Sequence, residues 1–302
     1  MRFAVVAQHE TETNARLAAA SRRRGIAWAC LTPSEALATL RPGDVALGRL
    51  DVLPTLDGVD DGLLVLGELA ARGIRVLNEP SALLAAHDKL LTARLLHGAG
   101  LPHPRTRLVT ADGDVPAVDR PVVVKPRFGS WGRDVVRCED GAALREHIKR
   151  VADASWFRSH GALVQDLVPP RGFDLRLIVA AGSVVGSVRR VAAPGEWRTN
   201  VALGAHREPA LAPAAARLVA LSAASTAGAH LVGVDLLPDG DGWTIVELNG
   251  AVEFTAEYGA GHDVFTDAAV ALVRAVLNER LAEPLETPLE SGPETATLLE
   301  SS

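Results

Sequence analysis

Two separated groups of polar residues in this chain have the types and spacing needed for phosphate and metal chemistry. The first lies in residues 122–135, where an apolar run ends in Lys125 and is followed by a turn rich in glycine. Backbone N–H groups of such a turn can approach phosphate oxygens closely, and a lysine adds a point charge. The pattern predicts a phosphate cradle, although an isolated glycine-rich turn after a strand is more often only a turn.

The second group lies far along the chain and has the character of a site for a hard cation. Glu247 and Asn249 are two residues apart in a strand-like run, so their side chains leave the same face. Asp235 ends another strand-like run and could add a third oxygen from a neighbouring strand. Mg2+ prefers oxygen ligands of this kind. The two groups together predict a nucleotide site.

Length and composition predict a globular protein that divides into two or three lobes. The chain has 302 residues, of which 48% are hydrophobic, so it can bury a large core. Lys and Arg total 31 against 37 Asp and Glu, and the net charge of -6 argues against a broad surface for nucleic acid or membranes. Cys30 and Cys138 lack the spacing of a zinc site or a redox pair. We therefore expect neither nucleic acid nor a membrane as a partner.

The start of the chain predicts a cytoplasmic protein. Residues 1–6 run directly into strand-like sequence, without the apolar segment and small-residue cleavage site of a signal peptide. No uninterrupted apolar segment approaches the length that crosses a bilayer.

Alternating patterns over the first 80 residues predict a small doubly wound parallel sheet, and hence an α/β lobe. The strand-like runs are at residues 3–7, 26–30, 45–49 and 74–77. A helix is expected from about His87 to His97, where Gly98 and Gly100 end it. The prolines at 102 and 104 then predict an extended connection into the next lobe.

The rest of the chain reads as a compact lid followed by paired strands. From Pro121 the pattern is strand, glycine turn, strand, helix and strand. Residues 173–179 and 183–191 are expected to pair, and the irregular segment 194–207 is expected to be functional because long loops in compact lobes commonly are. Helices are predicted at residues 212–227 and 263–280.

These residues resemble the ATP-grasp fold and, within it, the RimK/LysX-type ligases that join an amino acid to a carboxylate. The resemblance covers about residues 1 to 280, and its motifs keep the family's order along the chain. The motifs are His87-Asp88-Lys89, Lys125-Pro126 with residues 129–133, residues 164–168, residues 173–176, Arg189-Arg190, residues 197–200, Val234-Asp235 and residues 247–249. The loop 129–133 and the segment 247–254 are closest to the LysX and ArgX branch.

The resemblance implies an ATP-grasp fold of three lobes in an α/β chain. Residues 1–86 would form an N-terminal lobe on the doubly wound parallel sheet, residues 87–165 a central lid, and residues 166–281 a C-terminal lobe on an antiparallel sheet. Residues 282–302, which are rich in Glu and lack Lys and Arg, are expected to be a disordered acidic tail.

The resemblance also implies ATP and two Mg2+ ions, for which Mn2+ can substitute. The residues it assigns to the nucleotide are Lys89 and Lys125 at the phosphates, Gly129, Ser130, Trp131 and Gly132 in the covering loop, Gln165, Asp166, Leu167 and Val168 at adenine, and Asp174 at the ribose. Its metal ligands are Asp235, Glu247 and Asn249. Glu247 would bridge the two ions.

The implied reaction is amide formation through an acylphosphate. A substrate carboxylate attacks the γ-phosphate, and an amine then attacks the activated carbonyl, so that ADP and phosphate are released. The catalytic residues implied by the resemblance are Arg176, Arg190, Arg198 and Asn200. A lid that closes over the site would keep water from the acylphosphate.

Substrate recognition is where this chain departs from the family's pattern. After Asn200 it has residues 201–205 in place of an Arg-Gly-Gly loop, and after Phe254 it lacks the residues typical of LysX and ArgX. We expect altered recognition of the acceptor anion. Arg49, at a predicted strand end, is a candidate for binding a carboxylate. Glu253 and Glu257 are candidates for acting on a substrate amine, although Glu257 is equally readable as a solvated charge.

Three functional classes remain open. The first is a ligase that joins an amino acid to the carboxylate of a peptide or carrier protein, and the second is a RimK-type enzyme that adds glutamates to a protein C-terminus. The third is a non-catalytic ATP-binding regulator, which the complete metal set argues against. A homodimer or homotetramer is the family expectation.

Overall fold

The N-terminal lobe is built on a parallel sheet. The computed structural model describes residues 1–282. The strands of this sheet are β1 (Phe3–Val6), β2 (Trp28–Leu31), β3 (Val45–Gly48) and β4 (Arg75–Leu77), which pair in parallel in the order β2-β1-β3-β4. Both β1 and β3 are buried along their whole length, as expected for strands covered on both faces. The doubly wound sheet predicted from the sequence is therefore present.

Helices connect these strands and lead to the second lobe. They are α1 (Glu12–Arg23), α2 (Pro33–Thr39), α3 (Gly62–Ala71), α4 (Pro80–His87) and α5 (Lys89–Gly98). Capping side chains explain where two of them begin. Thr32 and Glu35 form a reciprocal capping box on α2. Asp88 accepts hydrogen bonds from the N–H groups of Leu90 and Leu91, and so starts α5 as a helix separate from α4.

The central lobe carries a small antiparallel sheet. Its strands are β5 (Thr106–Val109), β6 (Val122–Pro126), β7 (Val136–Cys138) and β8 (Ala162–Asp166), in the order β5-β8-β6-β7. Helices α6 (Gly141–Val151) and α7 (Ser155–His160) cover one face of it, with Leu144 and Phe157 buried against Val122 and Val124. The other face is left to the cleft.

The C-terminal lobe is a larger antiparallel sheet between two long helices. Its strands are β9 (Phe173–Ala180), β10 (Ser183–Val191), β11 (His206–Pro209), β12 (Leu231–Asp239) and β13 (Gly242–Asn249), in the order β11-β10-β9-β12-β13. The helices are α8 (Ala214–Thr226) and α9 (Val264–Ala282), with 3₁₀ turns at Val201–Leu203 and Ala256–Gly259. Small residues of α8 (Ala216, Ala220 and Ala223) are fully buried, which lets the helix approach the sheet closely.

The N-terminal and C-terminal lobes share one hydrophobic core. Phe3 and Leu17 of the first lobe belong to the same buried cluster as Ile178 and Leu272 of the last. Since a cluster of this kind usually marks a single core, the parallel sheet is covered on one face by residues from far along the chain.

Asn78 joins the same two lobes through hydrogen bonds. Its Nδ2 donates to the carbonyl of Leu231 at 2.7 Å, and its Oδ1 accepts from the backbone N–H groups of His230 and Leu231 at 2.7 and 3.0 Å. The residue is fully buried and has a φ of +52°, a conformation that asparagine tolerates better than most residues. A single side chain thus connects the end of β4 to the start of β12.

Most predicted helices and strands are confirmed, and the structure contains four further elements that were not predicted. Helix α4, strand β5, helix α7 and strand β11 were not expected from the sequence. The lobe boundaries after residues 86 and 165 stay a prediction, and β8 extends one residue beyond the second of them. Residues 283–302 of the predicted acidic tail lie outside the described residues. Within residues 1–282, no helix is long and apolar enough to cross a membrane.

Candidate active site

A cleft between the central and C-terminal sheets brings together residues of both predicted groups, although Asn249 does not line it. It encloses about 980 Å³, open solvent at its mouth included. The predicted site residues that line it are Lys89, Lys125, Gly129, Ser130, Gly132, Gln165, Asp166, Leu167, Val168, Asp174, Arg190, Arg198, Asn200, Asp235 and Glu247. They come from the helix α5, both sheets and the loops between them.

The edge of β12 and β13 carries the predicted metal ligands. Glu247 lies directly opposite Asp235 in the antiparallel pair, and Asn249 follows on the same face of β13. The Oδ1 of Asn249 is buried and has no hydrogen-bond partner. An amide oxygen left without a partner beside two carboxylates fits a hard cation such as Mg2+, which would supply the missing contact.

Asp235 is held by two arginines. Arg176 donates to both of its carboxylate oxygens at 2.6 Å, and Arg190 donates to Oδ2 at 2.8 Å. Burial alone would raise the pKa of Asp235, but the two guanidinium groups outweigh it and lower the pKa to about 2. The carboxylate is therefore ionised at neutral pH, as a metal ligand must be.

Asp174, the predicted ribose contact, also pairs with Arg190. The Nε of Arg190 donates to its Oδ1 at 2.8 Å, and the hydroxyl of Thr199 donates to its Oδ2 at 2.6 Å. Because Arg190 serves both Asp174 and Asp235, it connects strands β9, β10 and β12 across the floor of the cleft. The predicted catalytic arginine Arg176 contacts Asp235 but does not itself line the cleft.

The two predicted phosphate lysines both line the cleft. Lys89, at the start of α5, places its Nζ 2.8 Å from Oε1 of Glu247 and also donates to the carbonyl of Gly129. Lys125 is buried in β6 and donates to Oε1 of Gln165 at 2.9 Å. Burial lowers the pKa of Lys125 to about 8, with the charge of Lys89 acting in the same direction.

The glycine-rich loop approaches the segment after β10. Gly132 has a φ of +73°, and a Cβ built on it would lie 2.8 Å from Oδ1 of Asn200. Arg198 donates to the carbonyls of Gly132 and Val135 at 3.4 and 3.2 Å. These contacts hold the loop over the cleft. Trp131, which was predicted to cover the phosphates, is 62% exposed and does not line the cleft.

The three substrate candidates lie elsewhere. Arg49 and Glu253 pair at the edge of the N-terminal sheet, with Nη2 of Arg49 2.8 Å from Oε1 of Glu253. Glu257 lies in the 3₁₀ turn after β13, where Arg207 is 3.9 Å away and Thr255 donates to it. None of the three lines the nucleotide cleft.

Several residues of the cleft were missed from the sequence. Leu237 and Val246 line it. Alternation along β12 could have placed Leu237 on the face of Asp235, but Val246 is next to Glu247 and reaches the cleft at an irregularity in the β12–β13 register that alternation does not predict. Thr199 was passed over within the predicted motif 197–200.

Pro104 lines the cleft, and its neighbour His103, which does not, contacts the carbonyl of Ile245 at 2.8 Å. Burial lowers the pKa of His103 to about 4, so it is neutral at physiological pH.

Known proteins are similar to this chain in sequence and in fold. Residues 86–276 match the family of RimK-like ATP-grasp domains. The chain belongs to this family. A Shewanella amazonensis protein named probable alpha-L-glutamate ligase 1 is 28% identical over 299 residues, which span 93% of this chain and 97% of that protein. The tetrahydromethanopterin:alpha-L-glutamate ligase of Methanosarcina acetivorans is 28% identical over 233 residues, which span 68% of each chain.

A solved structure shows the same fold. The crystal structure of a RimK domain ATP-grasp protein from Sphaerobacter thermophilus superposes with a TM-score of 0.65 at 23% identity, and covers 90% of this chain and 99% of that one. The predicted ATP-grasp fold and the predicted ligase class are confirmed by these comparisons. Among residues 1–282 of this RimK-like protein, no three His, Cys, Asp or Glu side chains cluster as a metal site. The predicted set has two carboxylates and one amide, and so it is not a cluster of that kind.

Proposed function

We propose that this RimK-like ATP-grasp protein is an ATP-dependent carboxylate–amine ligase that joins an amino acid to the carboxylate of a peptide or carrier protein. The proposal rests on the polar side chains that strands β12 and β13 place together. Asp235, Glu247 and the unpartnered Oδ1 of Asn249 share one face there, with Lys89 in contact with Glu247. A protein that only bound a nucleotide would not need this complete set of oxygen ligands.

The cleft supports phosphoryl transfer by position and charge. Two Mg2+ ions held by Asp235, Glu247 and Asn249 would neutralise charge on the phosphates and on the attacking carboxylate. Lys125 would contact the phosphates from the central lobe, since it lies in β6 and lines the cleft. Lys125 donates to the amide oxygen of Gln165. Because that oxygen is uncharged, a phosphate oxygen can take its place without leaving a charge unpaired.

The arginines would act on the reacting carboxylate. Arg190 lines the cleft and would meet that carboxylate directly, whereas Arg176, which does not line it, would act indirectly by holding Asp235 in place. A substrate carboxylate that attacks the γ-phosphate carries negative charge at that position, and fixed donors there stabilise the transition state. Arg198 and Asn200 would hold the loop 129–133 closed and exclude water.

The amine then attacks the acylphosphate carbon, expels phosphate and leaves an amide after loss of a proton. Relatives named as alpha-L-glutamate ligases make L-glutamate the first amine to test. If L-glutamate added to a protein C-terminus were the product, the protein would be an enzyme of the RimK type. The altered segment 201–205 and the lack of a basic residue in it favour a different acceptor.

The test measures Mg2+-dependent ADP release with a panel of amino acids, short peptides and acidic carrier C-termini, each with and without hydroxylamine. Hydroxylamine attacks an acylphosphate to give a hydroxamate and phosphate, so it reports the activated acid even when the natural amine is absent. Mass spectrometry should find an amide whose mass equals both substrates minus water. ATP binding without ADP release or hydroxamate for every acid would refute ligase chemistry and favour a regulator.

A further inference from the structure

The connection between helix α5 and the central lobe is fastened to the outer edge of the C-terminal sheet. β13 is an edge strand of that sheet, and edge strands carry backbone groups that no other strand of the sheet satisfies. The N–H of Ile245 donates to the carbonyl of Pro102 at 2.9 Å, and the carbonyl of Ile245 contacts Nδ1 of His103 at 2.8 Å. The connection thus takes both backbone polar groups of one residue in β13.

The contact with Ile245 determines which ring nitrogen of His103 carries the proton. A carbonyl oxygen can only accept, so Nδ1 is the donor. In the neutral ring, Nε2 then has a lone pair and needs a donor. The side-chain nitrogen of Gln165 supplies it, at 3.2 Å. Burial and the charge of Lys125 lower the pKa of His103 to about 4, which keeps the ring in this neutral form.

The side-chain amide of Gln165 has partners at both of its ends. Its Nε2 donates to His103 and, at 2.8 Å, to the hydroxyl of Thr106, which itself donates to the carbonyl of Pro104 at 2.9 Å. Its Oε1 accepts from Nζ of Lys125 at 2.9 Å. Gln165 and Lys125 are each only 4% exposed. A buried chain of hydrogen bonds therefore runs from β13 through His103 and Gln165 to Lys125.

Only one orientation of the Gln165 amide satisfies this chain. If the amide were turned over, its NH2 group would face the ammonium of Lys125 and its oxygen would face the lone pair of His103. The first contact would oppose two donors and the second two acceptors, and buried polar groups in that state are costly. His103 therefore keeps the acceptor for Lys125 in a fixed place.

The acceptor of Lys125 is neutral, and this suits a side chain that must bind an anion. An amide oxygen orients the ammonium but does not neutralise it, so the charge stays available at the cleft that Lys125 lines. Ile245, to which His103 is fastened, lies two residues before Glu247 in the same strand. The chain of hydrogen bonds thus relates the position of Lys125 to the strand that carries a predicted metal ligand.

We propose that His103 is a positioning residue for the nucleotide, because through the amide of Gln165 it holds the ammonium of Lys125 ready for a phosphate of ATP. The proposal rests on the ligase function proposed above and adds to it a residue that does not itself line the cleft. A fixed ammonium needs less ordering when the phosphate binds, so the affinity for ATP is where His103 acts.

Two substitutions separate the contact with Gln165 from the contact with Ile245. In His103→Gln, the new amide oxygen can take the position of Nε2 and accept from Gln165. In His103→Asn, the shorter amide can donate to Ile245 in place of Nδ1, but it offers no acceptor that reaches Gln165. A residue that only fastened the connection would need Ile245 alone, whereas the proposed role needs Gln165.

Isothermal titration of the full chain with Mg2+ and a non-hydrolysable ATP analogue measures the effect. We expect His103→Asn to bind the analogue about fivefold more weakly, the scale for losing one hydrogen bond, and His103→Gln to bind it as the wild type does. The matched control is His97→Asn, the same change at an exposed histidine near the end of α5. Equal affinity of the wild type and His103→Asn would overturn the proposal. An equal loss in both His103 variants would mean that the ring only packs the connection, and would overturn it as well.

Nuclear magnetic resonance can follow Lys125 directly, since the chain has three lysines, Lys89, Lys125 and Lys149. The Lys125 signal of protein labelled with 13C at lysine Cε is the one lost in Lys125→Ala. Burial places its titration midpoint near pH 8 in the wild type. His103→Asn should lower the midpoint, because the charged form loses its fixed acceptor while the charges of Lys89 and Glu247 stay in place. An unchanged midpoint would contradict the proposal.

Failure of this proposal can be told from failure of the ligase function. If the wild type binds the ATP analogue and releases ADP with its substrates, but His103→Asn binds the analogue equally well, only the role of His103 is lost. A wild type that binds no ATP analogue would refute the nucleotide site, and with it both proposals.

Discussion

Charged side chains at and beneath the cleft pair with one another. Lys89 contacts Glu247, and Arg176 and Arg190 share Asp235. A nucleotide with its cations must replace these pairs one for one, because a buried charge left without a partner is costly. The pairs keep each side chain where the ligand requires it, which reduces the ordering needed on binding.

The pairing makes Glu247 a sharp test of the metal assignment. Glu247→Ala removes the proposed bridging ligand, and we expect ADP release to fall by about a hundredfold or more, the scale for losing one preorganised electrostatic group. The fold should persist, since the residue lies at a cleft edge. Glu208→Ala, which removes an exposed glutamate of β11, is the control. Undiminished turnover by folded Glu247→Ala would rule out the metal site.

Lys125 predicts a pH dependence of nucleotide binding. Its pKa in the free chain is about 8, and bound phosphates favour the charged form, so binding takes up a proton where the free lysine is neutral. We expect the affinity for ADP with Mg2+ to weaken above about pH 8, by up to about tenfold per pH unit. Calorimetry in buffers of different ionisation enthalpy measures this uptake. Lys125→Ala should bind weakly and lose the dependence; an unchanged profile in that variant would contradict the assignment.

The same lysine acts on stability in the opposite direction. Its pKa is lower in the folded chain than the ordinary 10.5, so the unfolded state binds more protons between about pH 8 and the ordinary value. The contribution of Lys125 to the free energy of unfolding should therefore rise with pH across that window. Denaturant titrations of wild type and Lys125→Ala at several pH values would show the difference.

At the level of elements, periodic and capped segments were predictable and polar or short ones were not. The glycine turn between β6 and β7 and the paired strands β9 and β10 followed from alternation and turn residues. Strand β11 is His-Arg-Glu-Pro, which carries no apolar alternation, and it forms because β10 offers a partner edge. Helix α4 was hidden because Pro80, its first residue, also suits a turn.

Which predicted site residues share a face of a strand could be read from the sequence, but the contacts between them could not. Strand periodicity put Glu247 and Asn249 on one face, and the structure agrees. That Arg190 pairs with both Asp174 and Asp235 depends on which strands are neighbours, and no local pattern specifies the sheet order. Asn14 could not be linked to Arg49 for the same reason.

The loop glycine Gly132 supports a prediction about lid closure. Gly132→Ala places a Cβ where Asn200 lies, in addition to the strain of alanine at positive φ. Gly195→Ala is the control, because Gly195 also has a positive φ of +80° but a Cβ built on it has no atom within 4 Å. We expect each variant to lose about 1 kcal/mol of stability, and only Gly132→Ala to raise the KM for ATP. Steady-state kinetics with denaturant unfolding decide this, and equal KM values would contradict the contact.

Across the whole molecule, a loop of the N-terminal lobe reaches into the lid. Leu56 is buried in the hydrophobic cluster of the central sheet, with a φ of +64°, and the carbonyl of Asp57 contacts His160 at 2.6 Å. A Cβ on Gly129 would lie 3.6 Å from Leu56. The lid is thus fastened to the first lobe beside the glycine-rich loop.

Loss of that contact should loosen the lid. Leu56→Ala keeps the backbone conformation but removes the buried side chain, and we expect about 2 kcal/mol less stability. Faster hydrogen exchange in β6 and a raised KM for ATP should accompany the loss. Asp57→Ala, which spares the backbone contact to His160, is the control. Unchanged exchange in Leu56→Ala would mean that the lid is held elsewhere.

The shared core has a consequence for how the protein is made. During synthesis the strands of the parallel sheet leave the ribosome first. Two of their partners come much later in the chain: Leu272 packs in the core that covers the sheet, and Leu231 accepts the hydrogen bond of Asn78. Until those residues emerge, one apolar face of the first lobe is exposed and the side-chain amide of Asn78 lacks its partner. We expect the nascent N-terminal segment to stay unfolded, or bound to a chaperone, through most of synthesis, and to acquire its structure only when the last helix arrives.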